Sequence, residues 1–308
     1  MDSGAVLVLG AAGFIGRALV ARLAARGRRV VAASRVPAAF AADVETRSTG
    51  NLTATTDWPS LLAGADSVVH LATRAHALPE EGDAWIGAEA AASHALAAAA
   101  RVLGIRRVVL MSSIKAHGGT GHFHASDPLR PTDPYGRAKA AVEQAMRDAG
   151  APLVVLRPPL VYGPGVKANF RALVRLIASG LPLPFASIDN RRSLIFLENL
   201  LDLVELALDH PRAPGRAFLA RDDRDVSTAE LARLIARAIR RQDRLFPCPP
   251  VLLRGAARLV GRGEAADRLL ETLTADDEPT RRTLDWRPRV TLEDGIAVTC
   301  RAYLREAG

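Results

Sequence analysis

Ala5-Val6-Leu7-Val8-Leu9-Gly10-Ala11-Ala12-Gly13-Phe14-Ile15-Gly16 decides the fold of this chain. The first five residues are a short apolar run suited to a strand buried on both faces. A glycine-rich turn comes next, and a helical pattern then runs to Arg26. Strand, glycine turn and helix together are the context in which such a turn cradles a dinucleotide. Gly10 permits the tight turn, Gly13 lets the backbone approach a pyrophosphate, and Gly16 allows helix and strand to pack closely. The helix N-terminus then faces the phosphates, with Phe14 and Ile15 in its first turn. The spacing is G-x-x-G-x-x-G, one residue longer in its first gap than in many dehydrogenases.

Working outward, residues 30–33 form a second strand, and the residues just after it select the cofactor. A carboxylate there would bond the adenine-ribose 2′-hydroxyl. The chain instead has Ser34-Arg35, with no acid until Asp43. A hydroxyl next to a guanidinium suits a 2′-phosphate, so NADP(H) is favoured and NAD(H) is the alternative. Residues 44–48 read as a third strand, with Asn51-Leu52 in an adenine-side loop. Residues 67–71 read as a fourth, closing in His70-Leu71-Ala72-Thr73, where His70 reads as a core histidine. An Ala-rich helix over 83–103 leads to a fifth strand, 107–111, and to Ser112-Ser113-Ile114-Lys115. A sixth strand, 153–156, closes in Arg157-Pro158-Pro159.

This alternation predicts an α/β fold, a Rossmann-type doubly wound parallel sheet with right-handed crossovers. Beyond it the pattern loosens into helices starting near residues 168, 200, 228, 252 and 292, with a strand over 193–197. That part reads as a smaller mixed α/β C-terminal substrate subdomain. The expected division is 1–165 for dinucleotide binding and 166–308 for substrate, with segments free to interleave. Ligands in such sheets bind beyond the carboxyl ends of the strands. Gly10, Ser34-Arg35, Leu71-Ala72-Thr73, Ser112-Ser113 and Pro158 all fall there.

Asp133-Pro134-Tyr135-Gly136-Arg137-Ala138-Lys139 opens one further helix. Asp133 is a good N-cap and Pro134 fits the first helical position. Tyr135 and Lys139, four apart, share one helix face. A fixed ammonium favours a phenolate, so the Tyr135 pKa is expected to fall, which would let it pass protons near neutrality. The chain has only three lysines, Lys115, Lys139 and Lys167, against 38 arginines. All three lie in segments assigned to the site, and arginine cannot replace a compact, tunable ammonium.

Composition bounds the rest. The chain has 308 residues, 49% apolar and 24% charged, an ordinary balance for a globular protein. No apolar run approaches a membrane span and the start of the chain lacks a basic leader, so no membrane insertion and a cytoplasmic location are expected. The net charge of +8 is arginine spread along helices, without a dense basic block or aromatics for stacking bases, which argues against nucleic acid. Cys248 and Cys300 form no framework and read as buried free thiols. His117, His122 and His124, near Asp127, match no standard metal spacing, so the expectation is a substrate-facing loop and no metal.

Taken together, Gly10 to Gly16, His70-Leu71-Ala72, Ser112-Ser113, Tyr135-x-x-x-Lys139, Arg157-Pro158-Pro159 and Leu284-Asp285-Trp286 resemble, in order, the extended short-chain dehydrogenase/reductases of the NAD-dependent epimerase/dehydratase family. The stretches 112–115, 157–169 and 181–194 are most similar to a bacterial branch of UDP-glucose 4-epimerases and 4-keto-sugar reductases of surface-polysaccharide synthesis. The resemblance implies a catalytic Ser113, Tyr135 and Lys139. Ser113 would bond the reacting sugar oxygen, Tyr135 would exchange the proton, and Lys139 would hold the nicotinamide ribose and lower the Tyr135 pKa. It also implies a UDP-sugar substrate, with Asn169 and Arg192 on its diphosphate, Arg268 as a second phosphate ligand and Lys115 on the substrate side. A homodimer through the long helices (83–103 and 135–149) is usual for such proteins, with internal packing of their Ala-rich faces as the alternative.

The chain departs from the family pattern at the missing acid after the second strand and at Asn51, where many relatives have Asp. The resulting expectation is NADPH reduction of the C4 ketone of a UDP-4-keto-6-deoxy-N-acetylhexosamine. The alternatives are a UDP-hexose or UDP-N-acetylhexosamine 4-epimerase with retained NAD, and a non-catalytic dinucleotide-sensing or RNA-binding module on the same fold.

Overall fold

The computed structural model of the chain describes residues 4–36, 38–73, 83–259, 261 and 263–307. The opening apolar run is strand β1 (Ala5–Leu9), with all five residues buried. Helix α1 (Phe14–Ala25) succeeds the glycine turn and inserts Leu19, Val20 and Leu23 into the core. The alternation continues through β2 (Val30–Ser34), β3 (Glu45–Ser48), α2 (Trp58–Leu62), β4 (Ala65–His70), α3 (Ala84–Val102) and β5 (Arg107–Met111). After a single 3-10 turn at Ile114–Ala116 come β6 (Gly121–Phe123), α4 (Pro134–Asp148), β7 (Leu153–Arg157) and β8 (Leu160–Tyr162). The remainder is α5 (Ala168–Ala178), β9 (Leu194–Phe196), α6 (Leu197–Asp209), β10 (Ala217–Leu219), α7 (Thr228–Ala238), α8 (Pro250–Leu259), α9 (Gly263–Leu270), β11 (Leu273–Ala275), α10 (Glu278–Leu284) and α11 (Leu292–Ala307).

Seven strands form one sheet in the order β10-β7-β5-β4-β1-β2-β3, every neighbouring pair parallel. Both faces are covered, as parallel sheets require. On one face Leu19, Val20 and Leu23 of α1 meet Leu200, Leu203 and Val204 of α6 and the indole of Trp286. On the other, Trp58 and Leu61 of α2, Leu96 and Ala97 of α3, and Val142 and Met146 of α4 form a second layer. The small residues of α3 therefore let it pack internally against α4 and the sheet. A separate C-terminal core gathers Tyr162, Phe170, Phe185, Phe196, Ile235, Leu292 and Ile296.

The strand order reverses between β1 and β4, which places the ligand crevice at their carboxyl ends. The chain crosses between the two parts more than once, since α6 and β10 return to the main sheet after α5. The pairs β8–β9 and β6–β11, three residues a strand, bridge toward the C-terminal core. The expected strand over 193–197 contains β9, whereas β6, β8 and β11 carry no readable period and only tertiary pairing reveals them.

Candidate active site

The glycine turn is built for close approach. Gly10 adopts φ +85°, a left-handed conformation that glycine takes without a Cβ penalty, and its amide donates to the Ala33 carbonyl at 2.9 Å. A Cβ on Gly16 would stand 2.3 Å from the Gly10 carbonyl oxygen, so any larger residue would separate helix from strand. Gly13 caps α1 without a side-chain hydrogen bond, leaving the first-turn amides of Phe14, Ile15 and Gly16 without a side-chain acceptor and aimed outward. Leu71 and Ala72 form the opposite wall, the Ala72 amide nitrogen lying 2.9 Å from where a Gly10 Cβ would be. This cradle fits the pyrophosphate of a dinucleotide.

Tyr135, Lys139 and Ser113 converge at the next opening along the sheet. Asp133 caps α4 through Oδ1, which accepts from the Gly136 amide at 2.7 Å, and Pro134 occupies the first turn. A Cβ on Gly136 would lie 2.4 Å from the Lys115 carbonyl oxygen, so this glycine lets the helix start rest on the turn that carries Ser113. The buried Lys139 ammonium donates to the Met111 carbonyl at 2.9 Å and to the Thr73 hydroxyl. It also sits 5.5 Å from the centroid of the Tyr135 ring. Burial pulls Lys139 down to about 8, against the opposing carboxylates of Glu89 and Glu143.

For Tyr135 the direction is the reverse of the sequence expectation. Burial pushes the phenol up to about 12, the Ser113 hydroxyl in hydrogen-bonding reach pulls it back, and the charges of Asp133 and Glu89 raise it again. The reason is geometric: the ammonium lies over the ring while its N–H groups are directed to Met111 and Thr73. His70 is buried as expected, its Nε2 3.3 Å from the Ser93 hydroxyl, and burial with the Lys139 charge drives it down to about 3.

Two groups escaped the sequence reading. Glu143 continues the Tyr135–Lys139 face of α4 at the same spacing and is fully buried. It receives a hydrogen bond from Ser112 at 2.5 Å and a forked pair from Arg157, Nη2 to Oε2 at 2.6 Å and Nε to Oε1 at 3.0 Å. Arg157 also donates to the His117 Nε2 and the Ala125 carbonyl, each at 2.9 Å. The i, i+4 run 135–139–143 was the available signal. Glu89 on α3 left no signal, because only the packing of α3 on α4 brings its charge to bear on Tyr135 and Lys139.

The remaining candidates are spread around this corner. The buried Ser34 hydroxyl donates to the Val36 carbonyl at 2.7 Å, whereas Arg35 and Asn51 are exposed and Leu52 packs against the α2–α4 layer. Pro158 is buried beyond β7, its carbonyl accepting from the Ile114 amide at 3.0 Å. Lys115 pairs with Asp133 and so braces the α4 cap. Asn169 is exposed in the first turn of α5. Arg192 directs Nη1 to the carbonyls of Arg268 and, at 3.3 Å, Glu271. Burial pushes the Asp133 carboxyl up, but the Lys115 contact, the Gly136 amide and, last, the Arg268 charge bring it below its ordinary value.

The three histidines part company. His117 is buried against Arg157, His122 meets Thr274 at 2.8 Å and His124 meets Asp276 at 2.8 Å. Among the described residues no His, Cys, Asp or Glu group could hold a metal. Cys300 is buried, but Cys248 is only partly so, because it lies among prolines in the stretch before α8.

The family model described as "NAD dependent epimerase/dehydratase family" matches residues 6–219, from β1 to β10. The chain belongs to that family. This NAD-dependent epimerase/dehydratase is 36% identical to a UDP-glucose 4-epimerase of Vibrio cholerae, over 97% of this chain and 95% of the relative. It is 33% identical to a ceramide reductase of Caulobacter vibrioides, over 82% of this chain and 77% of that one. The solved structure of MoeE5 in complex with UDP-glucuronic acid and NAD superposes with a TM-score of 0.78, at 25% identity, over 99% of this chain and 100% of that one. The chain is thus an enzyme of a family in which epimerases and reductases share one fold.

The buried ammonium of this epimerase/dehydratase family member makes a testable trade. Lys139 holds its proton to about 8 in the fold and to an ordinary 10.5 when unfolded. Between those values the unfolded chain binds the extra proton, so stability falls as pH drops from 10.5 to 8 and the cost stays constant below. Lys139→Met removes that cost and loses the bonds to Met111 and Thr73, each worth about 1 kcal/mol. The net gain at pH 7 is about 1–2 kcal/mol, or a melting temperature higher by roughly 2–5 °C, with activity lost. Calorimetry of the ligand-free variant checks this, and a lower melting temperature than the parent contradicts it.

Proposed function

We propose that this enzyme moves hydride at C4 of a UDP-sugar, with 4-epimerisation as the net reaction, as a cytoplasmic step of surface-polysaccharide synthesis. The observation that carries the reading is the convergence of Tyr135, Ser113 and Lys139 on the glycine cradle's side of the sheet. The 36% identity to an epimerase along nearly the whole chain supports the net outcome. The Gly10–Gly16 turn and Lys139 would hold a dinucleotide, whose nicotinamide ring would supply the hydride acceptor and donor when bound.

The chain's own residues manage the proton and the geometry. Ser113 bonds the C4 oxygen, and Tyr135 takes the hydroxyl proton and gives it back. A donor fixed beside the developing oxyanion stabilises it without reorganisation. A phenol near 12 is almost wholly protonated in the neutral range, so Lys139 must stay charged beside it to stabilise the phenolate that accepts the proton. Asn169, Arg192, Arg268 and Lys115 are the proposed grip on the diphosphate, where a forked guanidinium matches phosphate geometry. A homodimer through the outer faces of α3 and α4 is part of the proposal.

One observation favours a second reading, an NADPH-dependent reductase of a UDP-4-keto sugar. The end of β2 presents Arg35 to solvent and lacks the carboxylate that would select a 2′-hydroxyl. The deciding measurement is to denature the purified protein, identify released nucleotide by chromatography and assay UDP-glucose and UDP-N-acetylglucosamine without added cofactor. Stoichiometric NAD with epimer interconversion is the expected result. Released NADP, or an enzyme that only consumes NADPH with a 4-keto sugar, transfers the assignment to the reductase. Failure to bind either dinucleotide overturns both.

A further inference from the structure

Helix α8 faces the wrong way for a water-exposed surface helix. At 100° per residue, Val251, Leu252, Gly255, Ala256 and Leu259 fall on one side, with Leu253, Arg254 and Ala257 on the other. A surface helix normally turns its apolar stripe to the core. Here Leu253, Arg254 and Ala257 face the protein and are partly buried, while Val251, Leu252 and Leu259 are 77%, 64% and 90% exposed. The inner side is anchored by Leu253 against the C-terminal core and by Arg254 to Asp267 of α9 at 2.7 Å. This orientation is therefore fixed by packing on both of its neighbours.

Two further large apolar side chains are exposed in the C-terminal part. Phe246, 44% exposed, donates its amide to the Leu183 carbonyl at 3.0 Å, and Leu181, 59% exposed, lies two residues earlier on that paired segment. Arg240, Arg241 and Arg244 precede Phe246 in the chain, Arg258 lies on α8 next to Leu259, and all four are exposed. Large apolar side chains rimmed by arginines complement one chemistry in particular, an anionic bilayer surface. The apolar face enters the boundary between headgroups and acyl chains while the guanidiniums stay with the phosphates. Ten residues are far too few to span a bilayer, and among the described residues no helix is long and apolar enough to cross one. The helix would lie in the interface plane.

Its place in the fold gives the contact a use. Helix α8 packs on α9, whose Arg268 carbonyl takes the Arg192 guanidinium and whose Arg268 charge reaches the Asp133 cap beside Tyr135. Helix α8 is thus separated from the candidate site by one element, α9. We propose that α8, with Leu181 and Phe246, docks this protein peripherally on an anionic membrane surface. The proposal stands independently of which sugar or cofactor is used.

The test is co-sedimentation of the full chain with phosphatidylcholine vesicles, with and without phosphatidylglycerol. The expected result is binding to the anionic vesicles only, weakening as salt is raised. The double variant Leu252→Asp/Leu259→Asp changes only exposed side chains, so its melting temperature stays at the parent value while its vesicle partition falls at least about tenfold. Arg258→Glu alone lowers partition by a smaller factor, about threefold. Absence of parent binding, or equal binding by the double variant, overturns the proposal. So does a lipid-free dimer that the double variant dissociates while vesicle binding is absent, since a second copy of the chain would then be the occupant.

Discussion

Tyr135→Phe lowers kcat by about three orders of magnitude and leaves KM within a factor of about three, in the range expected for loss of a positioned proton donor. The ring remains, so the packing beneath the Lys139 ammonium is kept, and only the hydroxyl that bonds Ser113 is removed. The pH profile provides a second readout. The parent's kcat/KM rises with pH as the Tyr135 phenol, held near 12 by burial, becomes easier to deprotonate. It then levels off above about 8, where loss of the Lys139 charge offsets the further gain in phenolate. In the variant the rising limb disappears. A loss smaller than tenfold, or an unchanged rising limb, would remove Tyr135 from the proton path.

Legibility of this fold and site in the sequence divides along the range of the interaction. The glycine turn and the α4 cap were legible because both are made within a few residues: Gly10 and Gly16 in one turn, Asp133 and Gly136 three apart. Strands β1, β2, β4, β5 and β7 were legible for the same reason, as apolar runs ending in polar or glycine signals, whereas the three-residue β10 of the same sheet was not. The direction of the Tyr135 shift was not, because it depends on how deeply packing buries a ring that spacing only places on a face. Arg192 shows the same limit. Its charge suggests a phosphate ligand, yet the carbonyls of Arg268 and Glu271, distant in sequence, take up one of its nitrogens. Lys115 likewise turns to Asp133, a partner that only the close approach at Gly136 makes available.

Long-range packing also poises the site electrostatically. The chain brings an ammonium, a phenol and two carboxylates, Glu89 and Glu143, into one partly dry corner. The carboxylates support the Lys139 charge, and Glu89 also opposes ionisation of Tyr135. A lysine near 8 sits close to its own titration, so modest changes around it alter how much charge faces the phenolate. Ligand binding that excludes water strengthens the interaction between the two groups.

Breaking the network beneath that corner is expected to give the largest stability loss in the molecule. Arg157→Met strands the fully buried Glu143 carboxylate, which among the described residues then keeps the Ser112 hydroxyl as its hydrogen-bond partner and the more distant Lys139 charge. Removing one member of a buried ion pair costs about 3–5 kcal/mol, or a melting temperature lower by roughly 6–15 °C for a domain of this size class. The loss would exceed that from deleting ordinary packing, because Arg157 also satisfies the His117 ring and the Ala125 carbonyl. It thereby joins β7, α4 and the 117–125 segment. The control is the double variant Arg157→Met/Glu143→Gln, in which Gln keeps an acceptor for Ser112 and no charge is stranded. It should recover at least about 1.5 kcal/mol of the single variant's loss. Strict additivity in that cycle would mean that carboxylate and guanidinium do not sense each other, and that the three elements are held by packing alone.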